Sequence, residues 1–238
     1  MQLMPRMFCN QAFADYICVA RFCEFKSNIT MSYSSLAKKF LMSISGLFLI
    51  SFITLHLVIN MLTLLSDPEW FNEASHFMAS NIFIQIMQYV LAAGFILHIG
   101  MGMRLTYQNN KARPVKYEYN RPGENAPIAS RSMIYTGILV FLFLILHLKN
   151  YFVEMKFIGV EDDYALVVNS FNDLPFTAIY VVAFIFLGIH LNHGFQSAFQ
   201  SLGANHRKYT PLIKKLGTLY SVLIAAGFSL IALYHYIF

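Results

Sequence analysis

The stretch FLMSISGLFLISFITLHLVINMLTLL, residues 40–65, contains no Lys, Arg, Asp or Glu. It is long enough to cross a bilayer, which takes about 20 residues of helix. Four more apolar stretches follow, at 82–103, 132–152, 176–199 and 216–238. Hydrophobic residues make up 57% of the 238 and charged ones 12%, against about 25% charged in soluble domains. A span in lipid must satisfy its own backbone hydrogen bonds, so the stretches predict helices. The expected fold is an all-α membrane protein, a bundle of five transmembrane helices.

The charges between the spans predict its orientation. Arg6, Arg21, Lys26, Lys38 and Lys39 precede the first span. Arg104, Lys111, Arg113, Lys116, Arg121 and Arg131 lie between the second and third, and Arg207, Lys208, Lys214 and Lys215 between the fourth and fifth. Those segments hold fifteen of the 17 basic residues. The first loop has Asp67, Glu69 and Glu73 and no base, while the third sets Lys149 and Lys156 against five acids. The positive-inside rule then puts the N-terminus in the cytoplasm and the C-terminus outside. The basic balance thus reports topology and gives nucleic-acid binding no support.

Residues 1–34 read as a poorly ordered tail, and 35–238 as the membrane domain. The tail holds all three cysteines, Cys9, Cys18 and Cys23, at spacings that match no metal or disulfide framework. Its apolar runs are too short and interrupted for a signal peptide. Met31 opens a cleaner beginning, which makes it the alternative start.

Within the spans one pattern occurs twice. Gly46 is followed ten residues on by His56, then by His98 and Gly102; Gly137 is followed ten residues on by His147, then by His190 and Gly194. This predicts an internal two-hairpin repeat with one histidine per helix in the first four spans. An ionisable side chain inside a bilayer is costly and marks function by default. Counted from where each span enters, the four histidines lie roughly 23 to 26 Å along their helices. Because successive helices run in opposite directions, His56 and His147 share an outer level and His98 and His190 an inner one.

Two imidazoles facing one another at each of two depths suit haem b. Its iron takes axial nitrogen ligands and its porphyrin fills an apolar slot between helices. Zinc takes three or four protein ligands. Copper and a proton relay also use histidines, but neither calls for a gap wide enough for a macrocycle. Gly46 and Gly137, roughly 15 Å deeper than the outer histidines, are expected to let the inner porphyrin pass close to the backbone. Gly102 and Gly194 would leave room for its propionates. Small residues also simply pack membrane helices together, so each glycine has that second reading.

Other polar residues are assigned from position. Ser43 and Arg131, at the cytoplasmic ends of the first and third helices, and His193, one turn from His190, are candidate propionate partners. His206 and His235 are expected to be solvated. Glu73, His76 and Asn60, beside the outer histidine level, carry the hydrogen-bonding chemistry that a quinone headgroup needs. The basic loop 104–131 would dock a soluble partner, or else lie on anionic lipid headgroups.

The runs FITLHLVIN at 52–60, FNEASHFM at 71–78, ILHIGMG at 96–102 and HLNHG at 190–194 resemble the dihaem cytochrome b558 membrane-anchor subunit of succinate dehydrogenase and fumarate reductase, the type B succinate:quinone oxidoreductases. The resemblance covers roughly 35–238. It implies His56 with His147 on the distal haem and His98 with His190 on the proximal one. It further implies flavoprotein and iron-sulfur partners, exchange of electrons with a quinone, usually menaquinone, and a bacterial cytoplasmic membrane. Some members carry a glutamate two residues before the fourth ligand, where this chain has Gly188; transmembrane proton compensation by that route is in doubt here.

The chain itself has no nucleotide-binding glycine loop and no cysteine cluster, so succinate chemistry must belong to its partners. Two other functions use the same spans. A cytochrome b subunit of another membrane dehydrogenase is one, although many of those place two ligands on one helix. A small haem-free transporter built on the repeat, with the histidines as a relay, is the other.

Overall fold

The computed structural model describes residues 35–112 and 128–238. The chain divides into two units, 1–38 and 39–238, and of the first only the opening of a helix at 35–38 is described. The cysteines, Met31 and most of the basic loop lie outside the described residues, as does the side chain of Arg131.

Helix α1 spans Ser35–Asn60 and tightens into a 3₁₀ turn at Met61–Leu64. A short helix α2, Glu69–Ser80, precedes α3, Ile82–Lys111. Helix α4, Ile128–His147, continues as a π-helix over Leu148–Ile158. A second short helix α5, Asp163–Ser170, leads into α6, Leu174–Ser201, and α7 covers Thr210–Ile237. Five of these helical segments are long and apolar enough to cross a membrane: Leu36–Leu64, Ile82–Lys111, Ser132–Ile158, Leu174–Ser201 and Thr210–Ile237. The protein is an integral multi-pass membrane protein, and no strand occurs among the described residues.

Helix starts follow local chemistry. The Asn81 side chain caps α3 by accepting from the backbone N–H of Phe83 and Ile84 at 3.0 and 3.4 Å. Asp162 caps α5 and Asp173 caps α6 in the same way. Such caps satisfy amides that the first turn leaves free. The π-helix ends at Gly159, whose φ of 78° needs a residue without a Cβ. Sequence periodicity does not distinguish a π from an α turn, so the extension of the third span from 152 to Ile158 was not legible.

The two central helices are α6 and α7, which make the most extensive pairing in the bundle. Their close approach rests on missing side chains. A Cβ on Gly188 would meet the Ala225 Cβ at 2.9 Å and the Ser221 carbonyl oxygen at 3.2 Å. Around them an aromatic column of Phe143, Tyr180, Phe184 and Phe228 joins α4, α6 and α7. Helix α3 is peripheral. Of its residues only Gly94 is buried inside the protein, and it touches α1 through Phe95 against Phe52, Gly94 against Phe48, and His98.

The short helices α2 and α5 are tied together at one end of the bundle. Asn72 donates to Asp162 and accepts from the Tyr164 backbone N–H, and Ser75 bonds Asp163. The Asp162 carboxyl is held below the ordinary carboxylate range, first by the Ala165 N–H and then by the Asn72 amide.

His235 corrects one expectation. It is buried, at 5% exposure, with its Nε2 3.0 Å from the Thr63 hydroxyl. The last turn of α7 packs against the 3₁₀ turn after α1 and against Tyr164, whose ring centroid lies 6.3 Å away. These contacts replace the water expected at a helix end.

Candidate histidine-pair site

Each of the four histidines reaches the bundle interior from a different helix, and the structure brings them together two by two. The rings of His56 on α1 and His147 on α4 have centroids 5.7 Å apart and planes at 85°. Those of His98 on α3 and His190 on α6 are 6.4 Å apart at 77°. The two levels are separated by the ten residues from Gly46 to His56, about 15 Å of helical rise.

The surroundings of the two levels differ. Phe52 stacks on His56 at 5.5 Å and 17°, and Phe143 tilts against His147 at 5.8 Å. Phe228 closes over His56 from α7, and Tyr151 lies 5.3 Å from His147. The level is thus walled by aromatic rings. At the other level the walls are small residues. A Cβ on Gly46 would sit 3.4 Å from Cε1 and 3.8 Å from Nδ1 of His98, and a Cβ on Gly137 at the same distances from His190. Each of these glycines therefore faces the edge of an inner-level imidazole, with room for about one methyl group between them. Gly102 and Gly194 face the methyl groups of Met42 and Met133, at 3.6 and 3.9 Å.

Hydrogen bonding also separates the levels. Ser45 Oγ lies 3.3 Å from His98 Nδ1, and Thr136 Oγ1 lies 3.3 Å from His190 Nδ1. Asn60 donates to the His56 carbonyl oxygen at 2.8 Å, with its Nδ2 3.4 Å from His56 Nδ1. His147 Nδ1 is buried with no hydrogen-bond partner among the described residues.

Other candidate residues sit elsewhere. Ser43 is buried, and its hydroxyl donates to the Lys39 carbonyl oxygen at 2.9 Å. The His193 imidazole pairs with the Ser197 hydroxyl at 3.0 Å, one turn along its own helix. Glu73 and His76 are exposed on α2, and Asn60 is engaged with His56. His206 is exposed in the turn between α6 and α7, as expected. Sequence reading passed over Ser45 and Thr136. The available signal was a hydroxyl residue immediately before each of the two repeated glycines.

The donor set at each level fits a metalloporphyrin. Metal–imidazole bonds of about 2 Å and a ring radius of about 1 Å put two opposed axial imidazoles roughly 6 Å apart, centroid to centroid. Both pairs meet that spacing. Among the described residues no group of three or more His, Cys, Asp or Glu side chains converges. Each level thus offers two donors, the number that an iron porphyrin leaves to the protein.

Residues 109–226 match the family model described as the succinate dehydrogenase/fumarate reductase transmembrane subunit. The chain belongs to that family. The match covers α4, α6 and the greater part of α7, and so includes His147 and His190; His56 and His98 precede it. Neither the comparison with curated proteins nor that with solved structures gives a match. As a succinate dehydrogenase/fumarate reductase transmembrane subunit, the chain is the membrane part of a larger enzyme. Gly188, at the place where some relatives of the type B subunits have glutamate, is filled from the α7 side by Ala225 and Ser221. A carboxyl side chain has no room there.

Proposed function

We propose that the chain is a dihaem cytochrome b that passes electrons between an iron-sulfur subunit and a quinone, with His56/His147 holding one haem b and His98/His190 the other. The observation that carries this reading is the facing of two imidazole pairs, each drawn from different helices, at bis-imidazole spacing. Bound haem b supplies a one-electron couple at each level. The protein's own part is to present the ligand nitrogens, exclude water with apolar helices, and keep the two levels about 15 Å apart along the bundle.

The charge pattern supports a cytoplasmic N-terminus. His98/His190 then lies toward the cytoplasm, the side to which the charge pattern assigns the basic loop where flavoprotein and iron-sulfur subunits would dock, and His56/His147 toward the outside. The matching contacts of Gly46 and Gly137, and of Gly102 and Gly194, support the two-hairpin repeat. The membrane is that of a bacterial cell, and menaquinone is the proposed quinone. Glu73 and His76, exposed on the outer helix α2, stay with the quinone proposal, together with Asn60 beside His56. Ser43, Arg131 and His193 stay with the propionates of the cytoplasmic-side haem.

A reduced-minus-oxidised absorption spectrum of the purified chain tests this reading. It should show a b-type signal with two haems per chain, and flavin and iron-sulfur subunits should copurify. A haem-free preparation that keeps its fold would overturn it.

A further inference from the structure

Two hydroxyl groups stand in matching places beside one histidine pair and have no counterpart at the other among the described residues. The Ser45 hydroxyl donates to the Met42 carbonyl oxygen at 3.0 Å, and the Thr136 hydroxyl to that of Met133 at 3.1 Å. A hydroxyl has one hydrogen to donate. With that hydrogen committed to the helix backbone, each oxygen can only accept from the imidazole nitrogen 3.3 Å away. The proton is therefore on Nδ1 of His98 and of His190, and the Nε2 of each ring keeps its lone pair.

Gly46 follows Ser45 and Gly137 follows Thr136, and each faces an imidazole edge that a Cβ added there would meet at 3.4 Å. Each ring thus has a hydroxyl at hydrogen-bond distance from its Nδ1 and a glycine facing its edge. At the other level the arrangement changes. His147 Nδ1 has no partner among the described residues, and His56 Nδ1 faces the amide nitrogen of Asn60, which donates and cannot accept.

We propose that Ser45 and Thr136 are positioning residues that set His98 and His190 as Nδ1–H imidazoles and direct their Nε2 atoms to the haem iron. This rests on the dihaem reading above. An acceptor on the far nitrogen of a metal-bound imidazole raises ligand basicity. More basic ligands favour ferric iron, so these hydroxyls lower the midpoint potential of the haem at this level and leave the other haem untouched.

The test is a potentiometric titration of the purified complex, followed optically and by low-temperature EPR, for the parent and for S45A, T136A, S45T and T136S. In S45A and T136A the His98/His190 haem should shift to higher potential and be held about 10-fold less tightly, while the other haem keeps its midpoint. S45T and T136S, which exchange the residues found at the two matching places, should behave as the parent. If S45A loses that haem and S45T retains it, the assignment is supported; loss in both overturns it. Alanine variants with full haem and unmoved midpoints also overturn it while leaving the dihaem reading intact. A parent without b haem overturns both.

Discussion

His56 and His147 face one another across the bundle with centroids 5.7 Å apart and planes at 85°. If the proposed haem is held between them, two imidazoles set nearly perpendicular would leave the iron d orbitals that they perturb almost equal in energy. The ferric haem at this level should therefore give a strongly anisotropic low-spin EPR signal. His56→Ala should remove that signal and the corresponding b-type absorbance while the His98/His190 haem remains. Survival of both haems in that variant would break the pairing.

The five spans and the histidine pairing were legible because both follow from the solvent. A bilayer demands runs of apolar helix, and antiparallel spans place residues at similar distances along them on alternating levels. What surrounds the histidines was not legible in the same way. Ser45 looks like any small residue in a membrane helix, and its role depends on which face of α1 meets α3. His235 stands near a chain end, where solvation is the ordinary expectation, and only the return of the turn after α1 buries it. The π-helix after His147 leaves no mark in the pattern of apolar residues.

Gly46 tests how closely the backbone must approach an imidazole. A methyl group there would stand 3.4 Å from His98 Cε1, an ordinary contact, so Gly46→Ala should keep both haems and change stability by under about 1 kcal/mol. Gly46→Leu has no such room. It should push His98 aside, at a cost of about 1–3 kcal/mol for overpacking, and lower the content of that haem alone. Haem content by pyridine haemochrome, with thermal unfolding in detergent, reads both effects.

Gly188 is a second packing test with a different expectation. A Cβ there meets the Ala225 Cβ at 2.9 Å, so Gly188→Glu must part α6 from α7 and bury a carboxyl between them. The variant should unfold at lower temperature by at least the 1–3 kcal/mol typical of overpacking. It should not restore a proton route. Proton uptake per electron in reconstituted vesicles should match the parent, and coupled proton transfer in a stable Gly188→Glu protein would show that the helices have room to adjust.

His235 and Thr63 form a buried pair that reaches the histidine level through the chain. Thr63 donates to the Asn60 carbonyl oxygen at 2.7 Å, and Asn60 donates to that of His56 at 2.8 Å. The Thr63 hydroxyl therefore accepts from His235 Nε2. His235→Ala removes that hydrogen bond, worth about 0.5–1.5 kcal/mol, while the Thr63 hydroxyl keeps its bond to Asn60. The variant should lose stability by that amount in detergent unfolding while retaining both haems, because His56 keeps its own bond to Asn60. Haem loss at the His56/His147 level would instead show that the link extends to the ligand.

Asp162 provides the pH test, since it caps α5 and joins that helix to α2. The folded state depresses its pKa through the Ala165 N–H and the Asn72 amide. A depressed carboxylate contributes stability above its unfolded pKa, near 3.9, and loses it as pH falls through the lower folded value. The contact between α2 and α5 should therefore hold from neutral pH down to about pH 4 and weaken below it. Asp162→Ala should remove that acid-dependent step and cost about 1 kcal/mol as a lost cap. Hydrogen exchange of the amides in Asp163–Ser170 across pH 3 to 7, corrected for intrinsic rates, measures both. Equal protection in the variant and the parent would show that the Tyr164 and Ser75 contacts hold the helix without the cap.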